Sequence, residues 1–293
     1  MQSKRILVTG SNGQLGRALQ RLGAVSPHTY LFTDLEELDI TDRRAVLDYV
    51  TREKIDLVVN CAAYTRVEQA EEEESVAEAV NAVAAGNLAE AVRTVGGVFF
   101  HISTDYVFAG DGNIPLTEEM PVNPRSAYGR TKLHGEEAIA ASGCRAIVIR
   151  TAWLYSEWGT NFLKTMLRLT AERETLSVVF DQVGSPTYAG DLALAIFSII
   201  ENDSYEGNEG VYHFSNEGVC SWYDFAVEIV EAAGHDRCRI VPCHSNEFPS
   251  KVCRPAYSVL DKSKIKRTFG VEIPHWRDSM RYCIARIMKA QGK

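Results

Sequence analysis

The chain has 293 residues, 45% hydrophobic and 24% charged, which gives material for a full core without disulfides and excludes an intrinsically disordered polymer. Its net charge of −8 argues against a surface built to grip nucleic-acid backbones, so an anionic ligand must be held by local groups. Ile6–Val8 is too brief for a signal-peptide core, and Leu192–Ile200, the longest nearly apolar run, is too short to cross a bilayer; a cytoplasmic protein with no membrane contact is expected.

In chain order, Arg5–Thr9 reads as a β-strand, followed by glycines and a helix with Leu15, Ala18, Leu19 and Leu22 on one side. Strand Tyr30–Thr33, helix Arg43–Arg52 and strand Leu57–Asn60 continue the alternation, with intervals suited to parallel crossovers. An Ala-rich helix from Val76 to Val95 follows, then strand Val98–Ser103, helix Tyr128–Ala141 and strand Ala146–Arg150. Glu71–Glu74 reads as a solvated helix start, where carboxylates favour the positive end of the dipole. Beyond Arg150 the pattern loosens: Trp153–Gly159 suggests a loop, Asn161–Glu172 a helix, Leu176–Phe180 a strand, Asp191–Ile200 a helix and Val211–Ser215 a strand. The fold class is α/β: a Rossmann-type doubly wound parallel sheet over residues 1–150, with a smaller C-terminal lobe in 151–293. Part of 176–215 is expected to return to the main sheet.

Between the first strand and helix stands Gly10-Ser11-Asn12-Gly13-Gln14-Leu15-Gly16, with glycines at G-x-x-G-x-x-G. Missing side chains let the backbone turn tightly and approach a pyrophosphate, whose charge is favoured by free N–H groups at the helix start. Eighteen residues past Gly16, Asp34 ends the second strand where a carboxylate can accept from adenosine ribose hydroxyls. No Arg or Lys follows it immediately, which suits NADH, while Arg17 lies within reach of a 2′-phosphate, so NADH and NADPH both stay open. The third strand ends in Asn60-Cys61-Ala62-Ala63, small enough for a nucleotide to lie across the sheet edge.

Tyr128 and Lys132 are spaced i, i+4, which puts both on one helix face. A free phenol has a pKa near ~10, and nearby positive charge from Lys132 and the oxidised nicotinamide would let it exchange protons closer to neutrality, while Lys132 can also hydrogen-bond the nicotinamide ribose. Chance alone produces a Y-x-x-x-K often, so the context decides: Ser103-Thr104 ends the preceding strand, where the Thr104 hydroxyl can bond the same substrate oxygen that Tyr128 protonates. The seven cysteines, scattered and without a C-x-x-C, read as reduced thiols, and Cys238, Cys243 and His244 fit no zinc spacing, so no metal is expected.

At these residues the chain resembles the extended short-chain dehydrogenase/reductase superfamily and, within it, the dTDP-4-dehydrorhamnose reductases. The stretches that carry the likeness are Val8–Gly16, Asn60–Thr65, Ser103–Phe108, Tyr128–Lys132, Arg150–Trp153, Gly184–Thr187 and Arg254-Pro255. The resemblance implies that NAD(P)H reduces the C4 ketone of a dTDP-bound 4-keto-6-deoxy sugar while Tyr128 supplies the proton. It also implies that Asn12, Gly13, Gln14, Leu15, Asp39, Ile40, Ala62, Ala63 and Tyr64 line the cofactor, and that Thr104, Asp105, Tyr128 and Trp153 touch the sugar. Related dehydratases carry an acid after the Thr-Asp pair; Tyr106 stands there, which disfavours elimination. Some relatives dimerise through Mg²⁺ held by carboxylates where this chain has Leu15 and Gly190, so a homodimer would not be expected to use that bridge. Lys164, Arg168 and Arg254 are candidates for the diphosphate. The rival readings are a noncatalytic NAD(P)-binding subunit of the methionine adenosyltransferase type and a reductase of another nucleotide 4-keto sugar.

Overall fold

The computed structural model describes residues 3–248, 250–290 and 292. Six strands form one sheet: β1 (Arg5–Thr9), β2 (Thr29–Thr33), β3 (Leu57–Asn60), β4 (Val98–Thr104), β5 (Arg145–Thr151) and a late strand, Gly210–Phe214. Their order across the sheet is Gly210–Phe214, β5, β4, β3, β1, β2, and every pairing is parallel. The chain therefore leaves β1 in one direction for β2 and in the other for β3. The crevice at the carboxyl ends of β1 and β3 is where such sheets bind ligands.

Alternation along the strands explains the two faces. Ile6, Val8, Leu57, Val59, Val98, Phe100, Ile147 and Ile149 share one apolar cluster with Leu15 and Leu19 of α1 (Gln14–Gly23). Leu7, Val58, Phe99 and Val148 point the other way, into a cluster with Val46 and Val50 of α2 (Arg43–Arg52). Strands buried on both faces carry near-continuous apolar runs, as these do.

The Ala-rich segment differs from the single helix expected over Val76–Val95. A short α3 (Val67–Ala70) comes first; α4 (Glu74–Glu78) then passes through a π-helical turn, Ala79–Val83, into α5 (Ala84–Thr94). The π turn carries Asn81, whose side chain accepts from Tyr64 N–H at 2.9 Å and donates to Thr131 Oγ1 at 3.0 Å. That bridge ties the loop after β3 to α6 (Ala127–Ser142). Helix α6 starts at Ser126, whose hydroxyl accepts from Gly129 N–H, and stops at Gly143 in a left-handed conformation (φ 68°).

The stretch after β5 is not only loop. Leu154–Tyr155 is a two-residue strand, β6, which pairs with Thr187–Tyr188. Then come α7 (Phe162–Glu172), capped by Asn161, β7 (Thr175–Val179), β8 (Val183–Gly184), β9 (Thr187–Tyr188), α8 (Ala189–Glu201) and the late main-sheet strand, β10. The remainder is β11 (Cys220–Ser221), α9 (Trp222–Ala233), β12 (Arg239–Cys243), α10 (Ser263–Phe269) and α11 (Trp276–Ala290). Leu163, Met166, Phe225, Ile229, Met280 and Ile284 pack into an apolar cluster separate from those on the main sheet. Among the described residues, no helix is long and apolar enough to cross a membrane.

Candidate active site

The glycine loop closes tightly on the end of β3. Gly10 has φ 63°, and a Cβ there would sit 2.5 Å from Ala62 N; a Cβ on Gly16 would sit 2.5 Å from the Gly10 carbonyl oxygen. Beside the loop lies a cavity of about 380 Å³ whose walls include Gly10, Gly13, Asp34, Asp39, Ile40 and Ala62. Ala63 also lines it. Asp34 is fixed at the rim: its carboxylate accepts from Asn12 N–H at 3.0 Å and from Leu35 N–H at 2.9 Å. Asp39 accepts from the N–H and hydroxyl of Thr41, which hold its carboxyl below the usual range. A glycine cradle at a helix start, with a carboxylate across from it, fits a dinucleotide, and these residues are the ones that would hold it.

Three expected cofactor residues are engaged otherwise. Leu15 is 4% exposed and packs into the core, leaving only its backbone to the crevice. Gln14 reaches the segment after β5, accepting from Ser156 Oγ and Asn161 Nδ2, each at 2.9 Å. Tyr64 lies beyond the cavity in a small apolar cluster with Ala127 and Tyr128, its hydroxyl donating to Glu73 at 2.7 Å.

Tyr128, Lys132 and Glu136 succeed one another along one face of α6, as the i, i+4 spacing requires. The Tyr128 ring meets Tyr106 edge-on, centroids 5.5 Å apart. Burial pushes the phenol above its ordinary pKa, moderated by a hydrogen bond with the Thr104 side chain. The site without ligands therefore keeps the phenol protonated. Thr104, at the end of β4, also donates to Asp105 Oδ1 at 2.9 Å.

Lys132 departs from expectation. Its nitrogen is turned into the core, where it donates to the Ile102 carbonyl at 2.7 Å and meets His101 Nε2 at 3.1 Å. Burial lowers its pKa to about 8, against the pull of Glu136. Glu136 is itself paired with Arg150 of β5 at 2.7 Å.

Asp105 is 2% exposed, and its Oδ2 has no hydrogen-bond partner among the described residues. Burial raises its carboxyl to about 7, although hydrogen bonds from Thr104 and Ser258 pull the other way. Trp153 has φ 51°, a sparsely populated conformation for a bulky residue, and its indole stacks on Trp222. The space it occupies exists because residue 184 is glycine: a Cβ there would lie 2.8 Å from Trp153 Cε2.

Of the three diphosphate candidates, Arg254 adjoins this site, bonded to Glu68 at 3.0 Å and to the Tyr106 side chain. Lys164 and Arg168 instead line a groove with His235 and Ile287, on α7, α11 and the end of α9. The acidic run is also not simply solvated. Glu71 accepts from Ala127 N–H at the start of α6, Glu72 pairs with Lys251, Glu73 with Tyr64, and Glu74 with Arg130. Three of these carboxylates hold the start of α6 or Tyr64, beside Tyr128, and Glu72 holds Lys251. Leu15 and Gly190 offer no carboxylate, and that of Asp191, in the first turn of α8, accepts from Asn216 and Ser279.

His101 was not singled out by sequence, and Asn60 only as the first residue of a family-like stretch. The signal was Asn60 at the end of LVVN and His101 in the middle of VFFHIST, polar side chains in buried strands where apolar ones were expected.

One family model, described as the RmlD substrate binding domain, matches residues 4–289. The chain belongs to this family. It is 41% identical, over 99% of its length and 88% of the relative's, to a dTDP-4-dehydrorhamnose reductase of Mycolicibacterium smegmatis. It is 39% identical, over 98% of its length and 97% of the relative's, to a probable dTDP-4,6-dihydroxy-2-methyloxan-3-one 4-ketoreductase of Streptomyces antibioticus. A crystal structure of dTDP-4-dehydrorhamnose reductase from Bacillus anthracis in complex with NADP superposes with a TM-score of 0.91 at 36% identity, covering 97% of this chain and all of that one (100%).

Proposed function

We propose that the chain reduces the C4 ketone of dTDP-4-dehydro-L-rhamnose to dTDP-L-rhamnose, with NADPH or NADH as reductant and Tyr128 as proton donor. The feature that supports the reading is the pairing of the Tyr128 phenol with the Thr104 side chain at the carboxyl end of β4, in the sheet whose β1 and β3 ends border the glycine-loop cavity. When bound, the reduced nicotinamide supplies a hydride to the carbonyl carbon.

The remaining work falls to the chain. Tyr128 gives its proton to the carbonyl oxygen as charge develops there, and Thr104 orients that oxygen by a second hydrogen bond. The unpartnered Asp105 Oδ2 accepts a sugar hydroxyl, and Trp153 lays an apolar face against the deoxy edge of the ring. Arg254, held at the edge of the site by Glu68, offers a guanidinium to the diphosphate. The apolar cluster centred on α7, α9 and α11 belongs to the substrate-binding lobe in this reading.

The test is a panel of nucleotide-linked 4-keto sugars assayed with NADH and NADPH in parallel. Oxidation of one reduced cofactor per rhamnose product supports the reading. Preference for a different keto sugar moves the chain toward the Streptomyces antibioticus relative. Cofactor binding with no turnover on any member favours the noncatalytic subunit.

A further inference from the structure

Residues 250–254 present a set of anion donors that a carboxylate of the sheet domain already fills. Ser250 Oγ donates to Glu68 Oε1 at 2.7 Å, Lys251 N–H to Oε2 at 3.0 Å, and Arg254 Nη2 to Oε1 at 3.0 Å. The Lys251 ammonium pairs in turn with Glu72. A hydroxyl, a backbone N–H, a guanidinium and an ammonium within one short segment form the mixed donor set that phosphate oxygens take.

The segment is anchored by contacts that do not involve Glu68. Val252 is buried, Tyr257 N–H donates to the Gly110 carbonyl at 2.9 Å, and Pro255 packs so closely on Gly110 that a Cβ there would lie 2.4 Å from the proline Cβ. Arg254 also bonds the Tyr106 side chain, whose ring meets Tyr128, so the donors face the proposed site. Glu68 is held less firmly. It lies on the four-residue α3, its side chain is 42% exposed, and that of Arg254 is 34% exposed, so the pair between them is weak and open to exchange. Burial pushes the Glu68 carboxyl up, but the hydrogen bonds from Ser250, Arg254 and Lys251 hold it below its ordinary value, which keeps it an anion.

We propose that residues 250–254 cradle the diphosphate of the nucleotide sugar and that Glu68 is a built-in occupant, displaced from Ser250, Lys251 and Arg254 when the diphosphate arrives. The proposal rests on the nucleotide-sugar reading above and adds Ser250 and Lys251 to Arg254. A diphosphate brings more negative charge and more acceptor oxygens than one carboxylate, so it can serve the three donors and the Lys251 ammonium together. The two anions repel, and the exposure of Glu68 lets its side chain swing to solvent. The occupant also gives selectivity. A sugar without the diphosphate offers the donors nothing in exchange for Glu68 and is refused.

The test is calorimetric titration of the whole chain with dTDP in the presence of NADPH. Glu68→Gln and Glu68→Ala should each bind dTDP more tightly, by about two- to fivefold, the range set by loss of one exposed competing ion pair. Arg254→Ala should weaken dTDP about tenfold. Adding Glu68→Gln to Arg254→Ala should gain less than Glu68→Gln gains alone, because part of what Glu68 occupied is already gone. Unchanged or weaker binding in both Glu68 variants, with Arg254→Ala still costing affinity, would overturn the proposal alone and make Glu68 a latch that shapes the site. An equal gain with and without Arg254 would overturn it too, since Glu68 would then act only as a distant charge. If Arg254→Ala has no effect, or the wild type binds no dTDP, the diphosphate reading of Arg254 falls and takes the proposal with it.

Discussion

The indole of Trp153 lies parallel to that of Trp222, centroids 3.5 Å apart and planes within 9°. Trp153 leaves β5 with φ 51°, so its orientation depends on what clamps it. Trp222 opens α9, and Gly184 of β8 leaves room against Cε2 and Cζ2 of the Trp153 indole. Aromatic stacking of this kind contributes about 0.5–1.5 kcal/mol beyond area burial. Trp222→Ala should therefore release Trp153 and raise KM for the sugar nucleotide roughly tenfold, with kcat changed much less. Steady-state kinetics at saturating NADPH measure both, and an unchanged KM would remove Trp153 from the sugar site.

Tyr128→Phe keeps the ring that packs on Tyr106 and deletes only the proton. The expected result is a fall in kcat of about 10²-fold or more with cofactor affinity nearly unchanged, the signature of a lost general acid. Turnover and NADPH fluorescence titration on the same preparation separate the two. Near-normal turnover would take the proton donor away from Tyr128.

Much of this arrangement was legible in the sequence because it follows from local rules. Near-continuous apolar strands, the glycine spacing around Gly13 and the i, i+4 relation of Tyr128 to Lys132 each depend on neighbours in the chain. What could not be read depends on contacts between distant segments. The inward turn of Lys132 needs His101 and Asn60 from two other strands, and the π turn answers to Asn81 bridging Tyr64 and Thr131. Glu71–Glu74 reads as a solvated run until Ala127, Arg130 and Lys251 are brought to it by the fold. Leu15 and Gln14 sit inside the cofactor motif, and motif position alone did not reveal that their side chains serve the core and the segment after β5.

Asp105 gives a pH dependence of stability with a definite sign. Its carboxyl is raised from 3.8 to about 7 in the folded protein, so between those values the folded state binds more protons than the unfolded state. Its contribution is present in full below about pH 4 and is lost as pH rises through 7. Three units correspond to roughly 4 kcal/mol as an upper order of magnitude. Asp105→Asn cannot ionise, so its melting temperature should exceed that of the wild type at pH 8 and converge toward it near pH 4. Thermal melts across that range test this, and parallel curves for the two proteins would show that Asp105 ionises normally.

Cofactor choice turns on Arg17 and Asp34, which flank Asn12 from opposite sides: Arg17 Nε donates to the Asn12 carbonyl at 3.1 Å, and Asp34 accepts from the Asn12 N–H. A 2′-phosphate arriving at the rim meets a carboxylate, and Arg17 is the cation poised to offset it. A ribose hydroxyl meets only an acceptor and gains nothing from Arg17. Arg17→Ala should thus weaken NADPH by about tenfold while leaving NADH within about twofold, a difference of roughly 1.4 kcal/mol, in line with one charge-assisted hydrogen bond. Asp34→Asn should act in the opposite direction, favouring NADPH over NADH. Dissociation constants for both cofactors, measured at one salt concentration because exposed charges are screened, decide it. An NADPH/NADH ratio unmoved by Arg17→Ala would mean that the 2′ position points away from α1.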